Sequence, residues 1–157
     1  MIILGIDPGT ATTGFGVVEL FNKDKIRSIE YGQVKTDKDH FMQDRLLKIH
    51  GSIASIIERT KPDVMVIERL FFNTNAKTAI QVGQARGIYL LVAGEYKLPV
   101  FEYTALQAKL TLTGYGRAEK DMVREKIETI LCLKEKIKPI DASDALALAI
   151  CHCIKSV

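Results

Sequence analysis

The chain has 157 residues, of which 47% are hydrophobic and 26% are charged, and its net charge is +3. This composition is typical of a globular chain with a substantial apolar core, and we expect one domain spanning residues 1–157. No apolar stretch approaches the roughly 18 residues of a membrane helix, so a membrane partner is not expected. Three cysteines are too few for a disulfide framework and indicate a reducing, cytoplasmic location. The small net charge does not by itself imply a nucleic-acid partner.

After an amino-terminal hairpin, the predicted strands and helices alternate along the chain. Strands are predicted at residues 2–7, 14–20, 26–36, 63–68 and 99–103. Helices are predicted from about residue 42 to the residues before Pro62, over about 74–96, and from about residues 104, 118 and 141. A hairpin of strands followed by alternating strands and helices predicts an α/β fold, with a mixed five-stranded sheet flanked by helices.

Two of the predicted buried strands end in an acidic residue. Asp7 closes the strand IILGID, and Glu68 closes the strand DVMVIE. One acid at a strand end is commonly a turn cap or an ion-pair partner. Parallel neighbours in an α/β sheet, however, bring their carboxyl ends to one edge, where two buried carboxylates repel each other unless a cation joins them. The pair therefore favours a cation site at that edge.

The last predicted helix carries two more acids, Asp141 and Asp144, which project from one face because they are three residues apart. One interpretation is helix capping, with Asp141 as the N-cap and Asp144 in the first turn, where the helix dipole favours negative charge. The other is that the apolar segment ALALAI packs this helix on the sheet and brings both acids to Asp7 and Glu68. Four carboxylates are hard oxygen ligands, which suit Mg²⁺ or Mn²⁺.

Six segments follow one another along the chain: GIDPGTATTGFGV, VIERLFF, GQARG, FEYTALQAK, GYGRAEK and DASDALALAI. Together they resemble the motifs of the RuvC-type Holliday junction resolvases. The resemblance implies a ribonuclease-H-like fold and a homodimer that resolves four-way DNA junctions by paired, symmetric nicks in recombination and repair. It also implies Mg²⁺ as the cofactor, replaceable by Mn²⁺, with about two ions in each active site. The RuvA–RuvB branch-migration complex is the protein partner that the resemblance implies.

The same resemblance assigns the chemistry to particular residues. The family's four catalytic, metal-binding acids correspond here to Asp7, Glu68, Asp141 and Asp144. Lys120 corresponds to a catalytic lysine that lies near the reacting phosphate.

Seven residues are candidates for DNA contacts: Phe71, Phe72, Lys77, Arg86, Lys109, Arg117 and Lys120. Either phenylalanine could stack on an unpaired base, an interaction worth roughly 1–3 kcal/mol, while one of the two could instead pack on the following helix. The resemblance favours Phe71 as the base contact. The loop at Gly114–Gly116 is surrounded by Lys109, Arg117 and Lys120, which could bind phosphates or simply be exposed to solvent. Among these three cations the resemblance favours the two lysines.

The long helix predicted at residues 74–96 carries a small residue at every fourth position, in Ala79, Gly83 and Gly87. Such a stripe allows another helix to approach closely, either within the domain or in a second copy of the chain. The homodimer that the resemblance implies favours the second copy, because a two-fold dimer matches a substrate cut at two symmetric sites.

Three other functions fit parts of the sequence. A pre-ribosomal RNA nuclease of related fold is an alternative, although it lacks the VIERLFF and DASDALALAI context found here. An actin-like ATPase has a phosphate-binding hairpin similar to DPGTATTG, but it needs two such domains, which 157 residues cannot hold. A non-catalytic module that binds junctions is the third, and the presence of all four acids argues against it.

Overall fold

The computed structural model describes residues 1–22, 24–71 and 76–156, with only the backbone of residues 76 and 77. Within these ranges the strands are β1 (Ile2–Asp7), β2 (Thr12–Phe21), β3 (Lys25–Lys35), β4 (Val64–Glu68) and β5 (Val100–Tyr103). The helices are α1 (Met42–Thr60), α2 (Ala76–Glu95), α3 (Ala105–Thr113), α4 (Lys120–Ile130) and α5 (Ile140–Lys155). The strands form one sheet in the order β3-β2-β1-β4-β5, which confirms the predicted mixed, five-stranded sheet.

Strand β1 lies at the centre of the sheet, and its two neighbours run in opposite directions. It pairs with β2 in antiparallel fashion and with β4 in parallel fashion. Strand β3 continues the antiparallel part beyond β2, and β5 continues the parallel part beyond β4. The carboxyl ends of β1, β4 and β5 therefore meet at one edge of the sheet, where sites in α/β proteins form.

Helices cover both faces of this sheet. Because successive residues of a strand point to opposite faces, Leu4 and Ile6 of β1 belong to the apolar core under α1 and α2, whereas Ile3 belongs to the core under α3, α4 and α5. Strand β4 is buried in the same two-sided way, which explains why both strands are apolar up to their terminal acid. Within the ranges given above, none of the helices combines the length and hydropathy that crossing a membrane would require.

Helix α5 lies unusually close to the sheet because glycines face it. A Cβ atom at Gly5 of β1 would lie 2.1 Å from the carbonyl oxygen of Ala145, and one at Gly14 of β2 would lie 2.1 Å from that of Asp141. Any larger residue at these positions would push the helix away. Since Gly14 pairs with Asp7 across the ladder, the start of α5 rests directly beside the end of β1.

Candidate active site

The acids at the ends of β1 and β4 lie side by side. The parallel register pairs Ile6 with Ile67, so Asp7 and Glu68 follow at neighbouring positions, and their carboxyl groups share a hydrogen bond. Both side chains line a cleft of about 290 Å³ at the carboxyl edge of the sheet.

Helix α5 brings Asp141 and Asp144 to the same cleft. The helix begins at Ile140, and its N-cap position is occupied by Pro139, which provides no side-chain hydrogen bond. The interpretation in which Asp141 is the N-cap is therefore wrong, because the helix is capped two residues earlier, at Pro139. Both acids instead face the ends of β1 and β4, with an apolar wall of the cleft formed by Ala105, Ala108, Val123, Ala147 and Leu148.

Burial and the crowding of negative charge raise the pKa values of Asp7 and Glu68. Burial raises the pKa of Asp7 from 3.8 to about 8, and the hydrogen bond and charge of Glu68 and the charges of Asp144 and Asp141 add to the rise. Burial also raises the pKa of Glu68, although its hydrogen bond with Asp7 and the charge of Lys120 oppose that rise. The two carboxyl groups therefore titrate as a coupled pair, and the metal-free site keeps a proton to a higher pH than an isolated carboxyl group would.

Lys120 supplies positive charge at this site. It is the first residue of α4, and its ammonium group donates a hydrogen bond to Oδ2 of Asp144 at 3.0 Å. That hydrogen bond and the charge of Asp144 raise the pKa of Lys120, with further contributions from Asp7 and Asp141. The lysine is therefore a stable cation next to the acids, although its side chain is still 67% exposed and accessible to a ligand.

The four acids fit a divalent cation by their chemistry, although their side chains are not yet set around one. In the described part of the chain, no three His, Cys, Asp or Glu side chains are already arranged to hold a metal ion. The carboxylates are instead engaged with one another and with Lys120. Burial, and after it the neighbouring negative charges, raise the pKa of Asp7. Hard oxygen donors crowded in one cleft in this way are nevertheless what Mg²⁺ or Mn²⁺ would stabilise.

The predicted DNA contacts fall in three different environments. Lys109 lines the cleft itself, and Arg117 is exposed in the loop between α3 and α4. The ring of Phe71 is 71% exposed just beyond β4, with the guanidinium of Arg69 5.9 Å from its centre. Phe71 is thus not packed on the domain, which is the arrangement that base stacking requires. Phe72 and the side chain of Lys77 lie outside the described residues.

Arg86 is engaged within the chain. Its guanidinium forms an ion pair with Glu102 of β5, and its Nη1 group donates to the backbone carbonyl of Glu68 at 3.4 Å. These contacts join α2 to the ends of β4 and β5, and they favour a structural role for Arg86 over contact with a phosphate.

Two contributors to the site carried no recognised signal in the sequence. Gly14 permits the close approach of α5, and the presence of Gly5, Gly14 and Gly16 in two neighbouring strands could have indicated a helix lying there. Tyr89 of α2 bonds to the turn that follows Asp7. That contact joins residues 80 positions apart, and no local pattern reports it.

A mixed five-stranded sheet with helices on both faces, and carboxylates at the ends of its central parallel strands, defines a ribonuclease-H-like nuclease fold. The family model for crossover junction endodeoxyribonuclease RuvC matches residues 3–152. The chain therefore belongs to the RuvC family of crossover junction endodeoxyribonucleases.

Individual relatives are similar over nearly their whole length. The chain is 51% identical to the crossover junction endodeoxyribonuclease RuvC of Desulforamulus reducens, covering 97% of this chain and 93% of that protein. It is 44% identical to the enzyme of the same name from Caldicellulosiruptor saccharolyticus, covering 99% and 94%. The solved structure of Thermus thermophilus RuvC in complex with Holliday junction substrate superposes with a TM-score of 0.94 at 35% identity, covering 99% and 94%.

Proposed function

We propose that this chain is a structure-specific endonuclease that resolves four-way DNA junctions by paired, symmetric hydrolysis of phosphodiester bonds. The observation that carries the proposal is the convergence of Asp7, Glu68, Asp141 and Asp144 on one cleft of a RuvC-family fold. Support for the substrate comes from the T. thermophilus relative, whose structure is described as a complex with a Holliday junction.

The four carboxylates would hold divalent cations, with Mg²⁺ as the natural ion, Mn²⁺ as a substitute and about two ions in each site. When bound, such ions supply the positive charge that activates water and stabilises the leaving oxygen of a phosphodiester. The chain supplies these ligands from regular elements of the fold. Asp7 and Glu68 lie at the ends of adjacent strands. Asp141 and Asp144 lie on a helix that packs closely on the sheet because glycines face it.

Lys120 has a chemical role that its position suggests. Its ammonium group lies 3.0 Å from a carboxylate oxygen of Asp144 and remains exposed to solvent. A phosphate oxygen is an anionic acceptor of the same kind, so the lysine can exchange one for the other when DNA enters the cleft. We assign Lys120 to the stabilisation of negative charge on the reacting phosphate.

The remaining predicted contacts would position the DNA. Lys109 in the cleft and Arg117 on its rim are suited to backbone phosphates, and exposed Phe71 is suited to stacking on a base at the branch point. Phe72 and Lys77 remain candidates on the strength of the sequence. Arg86 is the weakest candidate because Glu102 already neutralises it.

A homodimer is the assembly that we propose. Helix α2 presents an exposed apolar face that includes Ile80, Leu90 and Leu91. On the same helix, a Cβ atom built at Gly83 or Gly87 would meet no atom of the part of the chain that the structure describes within 4 Å. The predicted stripe of small residues is therefore open, as a surface that receives a second copy would be.

We also propose a cytoplasmic location and the RuvA–RuvB branch-migration complex as a partner, both by family relationship.

A substrate panel tests the proposed function and the alternatives to it. The purified protein is incubated with a synthetic four-way junction, a linear duplex of the same sequence and an RNA hairpin, each with Mg²⁺ and with EDTA. We expect cleavage of the junction alone, and only with Mg²⁺. Cleavage of the RNA hairpin would favour the ribosomal-RNA nuclease, and tight junction binding without cleavage in any divalent metal would favour the non-catalytic module.

A further inference from the structure

A buried hydrogen-bond network joins helix α2 to the turn that follows Asp7. The hydroxyl of Tyr89 lies 2.7 Å from Oγ1 of Thr13, and Oγ1 of Thr13 donates to the carbonyl oxygen of Gly9 at 2.8 Å. The phenol oxygen also lies 3.2 Å from the Gly9 carbonyl oxygen and accepts from the Gly9 amide at 3.4 Å. Tyr89 and Thr13 are both 0% exposed. Two buried hydroxyls and the amide and carbonyl groups of Gly9 therefore satisfy one another.

This network lies in the segment that sets the direction of Asp7. Gly9 is two residues from Asp7 along the chain, and Thr13 adjoins Gly14, which is the ladder partner of Asp7. The turn between them is tight, because a Cβ atom at Gly9 would lie 2.2 Å from the carbonyl oxygen of Thr12. A bond that fixes Gly9 and Thr13 from outside the turn therefore limits how far the Asp7 backbone can move.

The hydroxyl is not needed to fill space. The ring of Tyr89 lies in the apolar core under α1 and α2, where phenylalanine would occupy nearly the same volume. Burial raises the pKa of the Tyr89 phenol to about 12, and the negative charge of Asp7 contributes to that rise. The phenol is therefore a neutral donor at all working pH values, and placing it in a core is unfavourable unless its hydrogen bonds are made.

We propose that Tyr89 is a positioning residue that holds Asp7 in the orientation needed to bind metal, by bonding through its hydroxyl to Gly9 and Thr13. This inference rests on the proposed function, because it assumes that Asp7 is a metal ligand. Groups that orient metal ligands typically change metal affinity by about 10–100-fold when they are removed. Tyr89 would act in this way from the helix that also carries the exposed glycine stripe.

The test compares Tyr89→Phe with the wild-type protein in the absence of DNA. Binding of Mn²⁺ is followed by the paramagnetic resonance of the free ion, and exchange of the Gly9 amide hydrogen is followed by NMR in metal-free buffer. We expect Mn²⁺ affinity to fall about tenfold and the Gly9 amide to exchange faster. Tyr96→Phe is the matched control, since Tyr96 follows the same helix and its hydroxyl donates to Glu58 of α1 at 2.6 Å, away from the turn after Asp7. It should leave both readouts unchanged.

The outcomes separate this proposal from the proposed function. Wild-type Mn²⁺ affinity in Tyr89→Phe overturns the positioning role, whatever its thermal stability, and so does an equal loss of affinity in Tyr96→Phe. If Tyr89→Phe does not fold, Thr13→Val, which keeps the shape of the side chain and removes its hydroxyl, is measured in its place with the same criteria. A wild-type protein that binds no Mn²⁺ contradicts the proposed metal site itself, and this inference with it.

Discussion

Asp7 ends an apolar strand in a cleft with three other acids, and this environment predicts how the metal-free protein responds to pH. Its pKa is raised from 3.8 to about 8. Between those values the folded chain keeps a proton that the unfolded chain has lost, so the folded state binds more protons and the free energy of unfolding decreases as pH rises. In EDTA, the wild type should therefore lose stability relative to Asp7→Asn between about pH 4 and about pH 8.

Urea denaturation of both proteins across that range measures the difference. Excess Mg²⁺ provides the control, because metal binding to the ionised acids should restore stability most at high pH, where no proton has to be displaced. Stability curves of wild type and Asp7→Asn that run parallel in EDTA would show that Asp7 is ionised in the folded protein and that the cluster is not strained by charge.

A substitution at Lys120 can distinguish the contribution of its positive charge to cleavage from that of its shape. Lys120→Arg keeps the positive charge but replaces a compact ammonium with a wide planar group. We expect junction binding to be retained and single-turnover cleavage at saturating protein to fall at least tenfold, about 1.4 kcal/mol of transition-state stabilisation. Lys109→Ala is the comparison, since loss of a simple phosphate contact should weaken binding and reduce its salt dependence by about one unit. A wild-type cleavage rate in Lys120→Arg would make Lys120 a general phosphate contact.

Helix α5 carries two of the four acids, and Gly14 is one of the glycines that allow it to pack closely on β1 and β2. Gly14→Ala places a methyl group 2.1 Å from the Asp141 carbonyl oxygen, so the helix must shift. We expect a loss of about 1–3 kcal/mol in the free energy of unfolding and a larger loss of Mg²⁺-dependent cleavage than of junction binding.

Gly51→Ala is the matched control for that change. Gly51 lies in α1, where a built Cβ has no described atom within 4 Å, and alanine is the better helix former there. It should therefore leave cleavage unchanged and stabilise the chain slightly. Equal stability and cleavage in Gly14→Ala and Gly51→Ala would mean that α5 can be displaced without disturbing the site.

Most elements were predictable from sequence because each has its own local signal. The strands ending in Asp7 and Glu68 are apolar runs buried on both faces, and their terminal acids stand out for that reason. The exact limits were less predictable: β2 begins at Thr12 rather than at residue 14, since its ladder with β3 extends to the pair Thr12 and Lys35. Antiparallel partners extend a strand through polar residues that carry no strand signal of their own.

The contacts that fix the acids relative to one another could not be predicted in this way. Tyr89 reaches Gly9 across 80 residues, and Arg86 reaches the carbonyl of Glu68 across 18. Both contacts depend on how α2 packs on the sheet. Neither the spacing of apolar residues along that helix nor a motif within it indicates which residue of the sheet each side chain will contact. The candidate acids were therefore accessible to sequence reasoning, while the residues that hold them in place required the fold.

At the scale of the whole molecule, the exposed stripe of small residues on α2 predicts that a substitution at Gly87 will prevent dimer formation without preventing folding. A Cβ at Gly87 meets no atom of the described residues within 4 Å, so Gly87→Leu should fold normally and obstruct only a second copy. If the wild type is the dimer proposed above, light scattering should report a folded monomer for Gly87→Leu. Gly51→Leu on α1 controls for adding a leucine to an exposed helix, and should stay dimeric. A folded dimer in Gly87→Leu would place the interface elsewhere.

The central claim is that the acid cluster cuts opposite strands of a four-way junction with the help of divalent metal. It is tested most directly by mapping nicks in each labelled strand of one synthetic junction with Mg²⁺, for the wild type and for Glu68→Gln. We predict that the wild type nicks two opposite strands at symmetry-related positions. Glu68→Gln should bind the junction yet cut it at least about 100-fold more slowly, since the amide keeps the shape and loses the charge that holds metal. Near-normal cutting by Glu68→Gln, or wild-type nicks without symmetry or preference for the junction, would contradict the account.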